Sequence, residues 1–193
     1  LRQGIALNEH GSPEFQAGGY GTLALVEQAR GNEAAAQEAL QKASRLLENP
    51  DISPATRLYN LVVRILVALA RGDLQMAAQA AERAPEPEES GSFSDYLFLM
   101  SAQARLLLAQ GQQEAAAGCL AALHGMASQS GLQSAVVRAR ALQSLAISDA
   151  DETLVTLAEA LALAQPLGCV RTFVDAGEPM RALLEKAMAQ GVA

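Results

Sequence analysis

The sequence predicts an all-α protein made of tandem helical hairpins, an α-solenoid of about four hairpins closed by a C-terminal capping helix, and three observations predict it. The first is a recurring turn. Ala29-Arg30-Gly31-Asn32 returns as Ala70-Arg71-Gly72-Asp73, as Ala109-Gln110-Gly111-Gln112 and, degraded, as Ile147-Ser148-Asp149-Ala150, which spaces the anchors Gly31, Gly72, Gly111 and Ser148 by 41, 39 and 37 residues. A period in that range is the signature of stacked helical hairpins. The second is register. Five residues after each turn anchor stand Ala36, Ala77, Ala116 and Thr153; nine after it, Leu40, Ala81, Leu120 and Leu157; twelve after it, Ala43, Ala84, Leu123 and Ala160. Seven before it stand Ala24, Ile65, Ala104 and Ala141. Antiparallel helices approach to about 8–10 Å only where the side chains at the crossing are small, and Gly just past a helix end supplies the left-handed backbone that reverses the chain. The third is composition: half of the 193 residues are apolar, only 4% are aromatic, and Trp is absent. Ala and Leu are strong helix formers. No period-two run of β-branched and aromatic residues argues for a sheet.

Each element follows from local signals. Leu1 to Gly11 reads as the end of an earlier unit. Ser12 with Pro13 opens the first helix, which runs to about Arg30, because Pro fits the first turn, where its missing N–H costs nothing. Glu33 to Leu47 carries Ala36, Leu40, Ala43 and Leu47 on one stripe, and Glu48-Asn49-Pro50-Asp51 stops it. Ser53 and Pro54 repeat the cap-plus-proline start. The helix they launch, to about Arg71, is apolar nearly all round and belongs in the middle of a stack. Its partner, Asp73 to Ala84, ends at the acidic stretch Pro85 to Gly91, expected to be the longest and most mobile loop. A third hairpin pairs Asp95–Gln110 with Gln113–Ala127, and a fourth, after Ser128-Gln129-Ser130-Gly131, pairs Gln133–Ile147 with Glu152–Gln165. The hairpins thus span about 13–48, 54–84, 95–127 and 133–165 of a single superhelical domain. Residues 169–191 hold a short helical piece, a turn at Asp175-Ala176-Gly177-Glu178, and a helix opened by Pro179 that caps the array, since an end repeat needs a polar outer face.

Much chemistry is missing. A formal charge of −7 and a pI near 4.8 give no basic footprint for nucleic acid. The longest apolar stretch, Leu61 to Ala70, is interrupted by Arg64 and is far short of the roughly 20 residues that span a bilayer. Cys119 and Cys169 lack metal-ligand spacing and read as small apolar residues of a reducing, cytoplasmic compartment. His10 and His124 have no ligand neighbour three or four residues away. The glycines at 18, 19 and 21 lack the lysine of a phosphate loop and read as a weak or closely packed stretch of helix. No nucleophile stands beside a base in any motif, so no catalytic residue, metal or cofactor is expected, and the protein is read as a non-enzyme. Chemistry gives way to binding.

The glycine and small-residue series resembles the tetratricopeptide repeat, in longer units of about forty residues. The closing stretch is more specific. Residues 159–180, from Glu159-Ala160-Leu161 through Pro166-Leu167-Gly168-Cys169-Val170-Arg171-Thr172-Phe173-Val174-Asp175-Ala176-Gly177-Glu178-Pro179-Met180, followed by Leu183-Leu184, look like the last sensor-domain repeat of MalT-like transcriptional regulators. Cys169 stands where that family more often has an aromatic, and Ala176 where an acidic residue is common. These large LuxR-type activators join an ATPase, a tetratricopeptide-like sensor and a helix-turn-helix. The resemblance covers about residues 12–190 and implies a sensor segment cut out of such a regulator, an expectation that the start at Leu1 without an initiator Met also raises. It implies a cytoplasmic module that receives an inducer or a regulatory protein and passes a change in helix packing to the other parts of the same chain.

In such arrays the first helix of each pair lines the groove. The positions expected to face it are Tyr59, Val62, Leu66 and Leu69, then Phe98, Ser101, Arg105 and Leu108, then Ala135, Arg138, Leu142 and Leu145. Among these, Tyr59, Phe98, Ser101, Arg105 and Arg138 are the candidate binding residues. The aromatics offer flat apolar faces, and the arginines offer forked donors for carboxylate or phosphate. The plainer alternative has the aromatics filling gaps and the arginines lying along the surface with packed stems. A second function class is a free-standing scaffold that docks another protein; a groove for peptide carboxylates usually presents more Lys, Arg and Asn than this one.

Overall fold

The computed structural model describes residues 12–85 and 92–191. The stretch 1–11, with His10, and the acidic segment 86–91 lie outside the described residues. Within them the chain forms ten α-helices and no strand: α1 (Pro13–Ala29), α2 (Glu33–Leu46), α3 (Pro54–Ala70), α4 (Leu74–Ala81), α5 (Phe93–Ala109), α6 (Gln113–Gln129), α7 (Gln133–Ala146), α8 (Ala150–Ala164), α9 (Val170–Val174) and α10 (Glu178–Ala189). The all-α expectation holds. The chain divides into two compact units, Leu1–Leu99 and Met100–Ala193. In the first, α1 packs on α2 and α3, and α3 on α4; in the second, α6 packs on α7, α7 on α8, and α9 on both α7 and α10.

Helix starts follow the sequence signals. Ser12 accepts a hydrogen bond from the Glu14 amide, Ser53 from the Thr56 amide and Asp73 from the Met76 amide, each satisfying a donor that the first turn cannot pair internally. Pro13 and Pro54 sit at the first helical position.

Helix ends are set by glycine. Gly31, Gly72 and Gly111 have φ of +77°, +73° and +74°, a region that side-chain-bearing residues seldom adopt. The left-handed residue lets two amides turn back onto the helix just finished. Gly31 donates to the Gln28 carbonyl at 3.0 Å and Asn32 to the Glu27 carbonyl at 2.9 Å; Gly72 and Asp73 do the same to Leu69 and Ala68, and Gly111 and Gln112 to Leu108 and Leu107. This is the paired Schellman closure, which satisfies otherwise orphaned carbonyls. Gly131 (φ +68°) and Leu132 repeat it between α6 and α7. The first turn is locked further by Glu27, buried to 2% exposure, whose carboxylate accepts from Asn32 Nδ2 at 2.8 Å.

The degraded fourth turn uses other means. Ile147 is extended, and the reversal ends on Asp149, whose carboxylate accepts from the amides of Asp151 and Glu152. Thr153, at the position occupied by Ala36, Ala77 and Ala116 in the other units, donates its hydroxyl to the Asp149 carbonyl at 2.6 Å and to that of Ile147 at 3.2 Å. A threonine there pairs two carbonyls of the turn itself, in place of the amides that glycine-led turns fold back onto the preceding helix.

The small-residue register marks the seams. Ala24, Ile65, Ala104, Ala141, Ala36, Ala77, Ala116, Leu120, Leu123, Leu157 and Ala160 are fully buried. The exceptions are Ala81 and Ala84. Helix α4 ends at Ala81 rather than at Ala84, because Pro85 disfavours helical backbone at the residue before it and contributes no amide. Of the glycine cluster in α1, Gly21 is the close-packing site. A Cβ there would lie 2.7 Å from Asn60 Oδ1 and 3.2 Å from the Tyr59 ring, so its bare backbone sets how near α1 comes to α3.

Two polar devices hold the first unit. Arg57 donates to the carbonyls of Leu47, Asn49 and Ile52, clamping the link from α2 to α3. Glu14 at the start of α1 accepts from the hydroxyls of Ser53 and Thr56 at the start of α3, and these hydrogen bonds hold its carboxyl below the ordinary carboxylate range. In the second unit the capping segment closes on a core of Val137, Leu157, Ala160, Phe173, Met180 and neighbours.

Two outcomes are expected. Gly72→Val forces a β-branched residue to positive φ at a cost of about 1–3 kcal/mol, whereas Gly118→Ala, inside α6 with open space around its Cα, should stabilise by up to about 1 kcal/mol; thermal melts of the two variants should move in opposite directions. Because the Glu14 carboxyl is depressed in the folded state, its contribution is present above the unfolded-state value and lost as pH falls through the folded one. Chemical denaturation of Glu14→Gln should therefore show a stability deficit at neutral pH that disappears in acid.

Candidate functional site

The candidate residues fall into two groups, one in each compact unit. In the first unit Tyr59 of α3 and Phe98 of α5 stack, with ring centroids 6.4 Å apart and planes inclined by 26°. Both are half-buried. The Tyr59 hydroxyl lies 2.8 Å from Thr22 Oγ1. Thr22 commits its one hydrogen to the Gly18 carbonyl at 3.0 Å, so the phenol donates. Tyr59 also packs against the cluster of Ala24, Ala39, Leu40, Val63 and Val67. The pair therefore spends much of its surface inside the hairpin stack, and a strip of each ring stays open.

In the second unit Arg105 of α5 and Arg138 of α7 lie within electrostatic reach of one another. Arg105 Nη2 donates to the main-chain carbonyl of Asp175, in the turn between α9 and α10. Burial pulls the Arg105 guanidinium below its ordinary value, the Asp175 carboxylate opposes the shift, and the Arg138 charge adds to it. Arg138 is lowered by burial too, against the pull of Cys169 and Asp175. Asp175 itself is engaged by Arg171, at 2.6 Å from its Oδ1. The arrangement is two half-buried cations sharing one carboxylate that a third cation also holds. It has an excess of positive charge in a partly dry environment, where an added anion interacts more strongly than at open surface.

Ser101 is 2% exposed, so its hydroxyl is not displayed on an open surface. Three positions expected to face a groove are corrected likewise: Val62, Ala135 and Leu142 are buried at 0%, 6% and 2%, Val62 because α3 is apolar nearly all round and the other two because α7 packs against both α6 and α8. Leu66, Leu69 and Leu145 are half-buried. Cys119 is half-buried, its thiol 3.6 Å from the Met100 carbonyl and raised by burial. Among the described residues no group of three His, Cys, Asp or Glu side chains is placed to hold a metal ion, and no helix is long and apolar enough to cross a membrane.

Sequence reasoning missed a second polar feature. A cleft of about 460 Å³ lies in the first unit, walled by α2, α3 and α4 and edged by Arg45, Arg64, Arg71 and Arg83. The signal was present in the spacing of Arg64 and Arg71 on α3, two turns apart on one face, but attention to the groove side passed over it.

Helical hairpins joined by glycine-closed turns, with small-residue seams, define a helical-repeat module of the tetratricopeptide type. The chain belongs to the family described as the MalT-like TPR region, whose model matches residues 1–190. No curated protein gave a match to the chain.

If Tyr59 is anchored as described, Tyr59→Phe should lower stability by about 1 kcal/mol through the lost hydrogen bond, while Phe98→Leu should act through lost ring packing. Urea denaturation of both would show it.

Proposed function

We propose that the chain is a binding and signal-sensing segment of a MalT-like, LuxR-type transcriptional regulator, acting in the cytoplasm without enzymatic activity of its own. It receives an inducer or a regulatory protein and passes the change to ATPase and helix-turn-helix parts of the same regulator. The family match supports the setting. The observation that carries the ligand class is the Arg105–Arg138 pair, with its surplus of cationic charge beside the α9–α10 turn. A carboxylate or phosphate suits two forked guanidiniums.

The same geometry supplies a route for the signal. Arg105 spends a donor on the Asp175 carbonyl; an anion that recruits Arg105 weakens that tie. The α9–α10 turn is then released from α5. A ligand shifts an equilibrium only through such a difference in contacts between two states. The aromatic pair offers a separate apolar face in the other unit.

The test begins with a thermal-shift screen of small carboxylates and phosphates, and the best hit is then titrated calorimetrically. The double variant Arg105→Ala, Arg138→Ala should weaken its binding by about tenfold or more, since charge-assisted hydrogen bonds are lost, with only a small change in melting temperature. Unchanged affinity would remove these two residues from the site.

A further inference from the structure

The cleft between α2, α3 and α4 is unlike the rest of this chain. The protein carries a formal charge of −7, with 14 Lys and Arg against 21 Asp and Glu, yet four of its arginines edge this one cleft and none of its lining residues is acidic. Arg45, Arg64 and Arg83 make no ion pair or hydrogen bond through their side chains among the described residues. Arg71 is the most enclosed of the four. It donates to Gln37 Oε1 at 3.1 Å and to the Glu33 carbonyl at 2.9 Å, and the Glu33 carboxylate stands 3.8 Å away. Its Nε–H is buried and finds no acceptor. A buried donor left unpaired is costly, and a guanidinium more so.

The remaining lining sharpens the chemistry. Gln41, Gln79 and Ser44 add neutral donors and acceptors, while Leu40, Val67 and Ala80 form an apolar floor. The volume, about 460 Å³, falls within the range of small-molecule sites. Basic guanidiniums on three different helices meet around one space, and a fork of this kind recognises planar or tetrahedral oxyanions bidentately. Four cations around a space of this size leave room for more than one anionic group.

We infer that this cleft is a second ligand site, separate from the Arg105–Arg138 pair, that takes a small organic polyanion carrying at least two phosphate or carboxylate groups on a compact body. Arg71 holds one group at the enclosed end. Arg64 and Arg83 hold the other at the rim, and the floor takes the body between them. Because α2, α3 and α4 belong to successive hairpins, a ligand spanning them fixes their mutual packing.

Inorganic tripolyphosphate is the probe, with single inorganic phosphate and sodium chloride at matched ionic strength as references, read by amide chemical shifts and calorimetry. The expected result is a saturable set of shifts at 37–45, 61–71 and 76–83, distinct from any around 105 and 138, with tripolyphosphate binding there at least about tenfold more tightly than phosphate. Arg64→Gln with Arg83→Gln should weaken it by about tenfold or more. Both residues are exposed, so the fold should survive; Arg45→Gln with Arg64→Gln is an independent second pair. The Arg105→Ala, Arg138→Ala variant should leave the shifts at 37–45, 61–71 and 76–83 unchanged, which separates this site from the one proposed above. Shifts reproduced by sodium chloride, shifts scattered over the surface, unaltered affinity in both glutamine pairs, or loss only in the Arg105, Arg138 variant would each overturn the proposal.

Discussion

A backbone that must reverse direction after each helix, within four residues and without leaving carbonyls unpaired, is the constraint on which the hairpins depend. Glycine at positive φ meets it at Gly31, Gly72 and Gly111, and the amides that follow close back onto the helix in the same two-bond pattern each time. The consequence reaches the core. A fixed reversal fixes which residues of the next helix face the last one, and that is why positions five residues past the anchor are buried in every hairpin, as alanine three times and threonine once. Where glycine is absent, Asp149 and Thr153 supply side-chain hydrogen bonds to the same stretch of backbone. The seam persists there, with Thr153, Leu157 and Ala160 still buried.

The fold was largely legible, and the reasons are local. Caps, prolines and turn glycines act over a few residues, so Ser12-Pro13, Ser53-Pro54 and Gly72-Asp73 could be read directly. The early end of α4 was less so, since the effect of Pro85 competed with the helical preference of the alanines before it. The candidate site was legible only in part. Helical position predicted that Arg105 and Arg138 would share a neighbourhood, but not that the Asp175 carbonyl would be tied to one of them, because that contact joins residues 70 apart in sequence. Val62 went to the interior for a related reason. On a helix that is apolar nearly all round, no periodicity distinguishes an inner groove face from a buried one. The α2–α4 cleft was missed because its arginines come from three helices and none forms a motif by itself.

Charge gives the molecule its functional character. In an acidic chain, several arginines serve structure: Arg57 clamps a link, Arg140 pairs with Glu159, and Arg181 pairs with Glu178. Exposed pairs of the last kind contribute little. Others gather at two places, beside the α9–α10 turn and around the α2–α4 cleft. Both places sit where more than one helix contributes a wall, so occupancy and helix packing are linked in each. A helical-repeat module responds to ligand through such links, because each hairpin is held mainly by its neighbours.

The most direct test of the central claim is amide hydrogen exchange at the residues just beyond each helix. If the glycine closures hold the hairpins, the amides of Asn32, Asp73, Gln112 and Leu132, which lie outside regular helix yet bond back to Glu27, Ala68, Leu107 and Ala127, should exchange as slowly as those of the helices they close. Exchange at the rate of open loop amides would contradict the account, since the turns would then be passive connections and the register of the seams would need another cause.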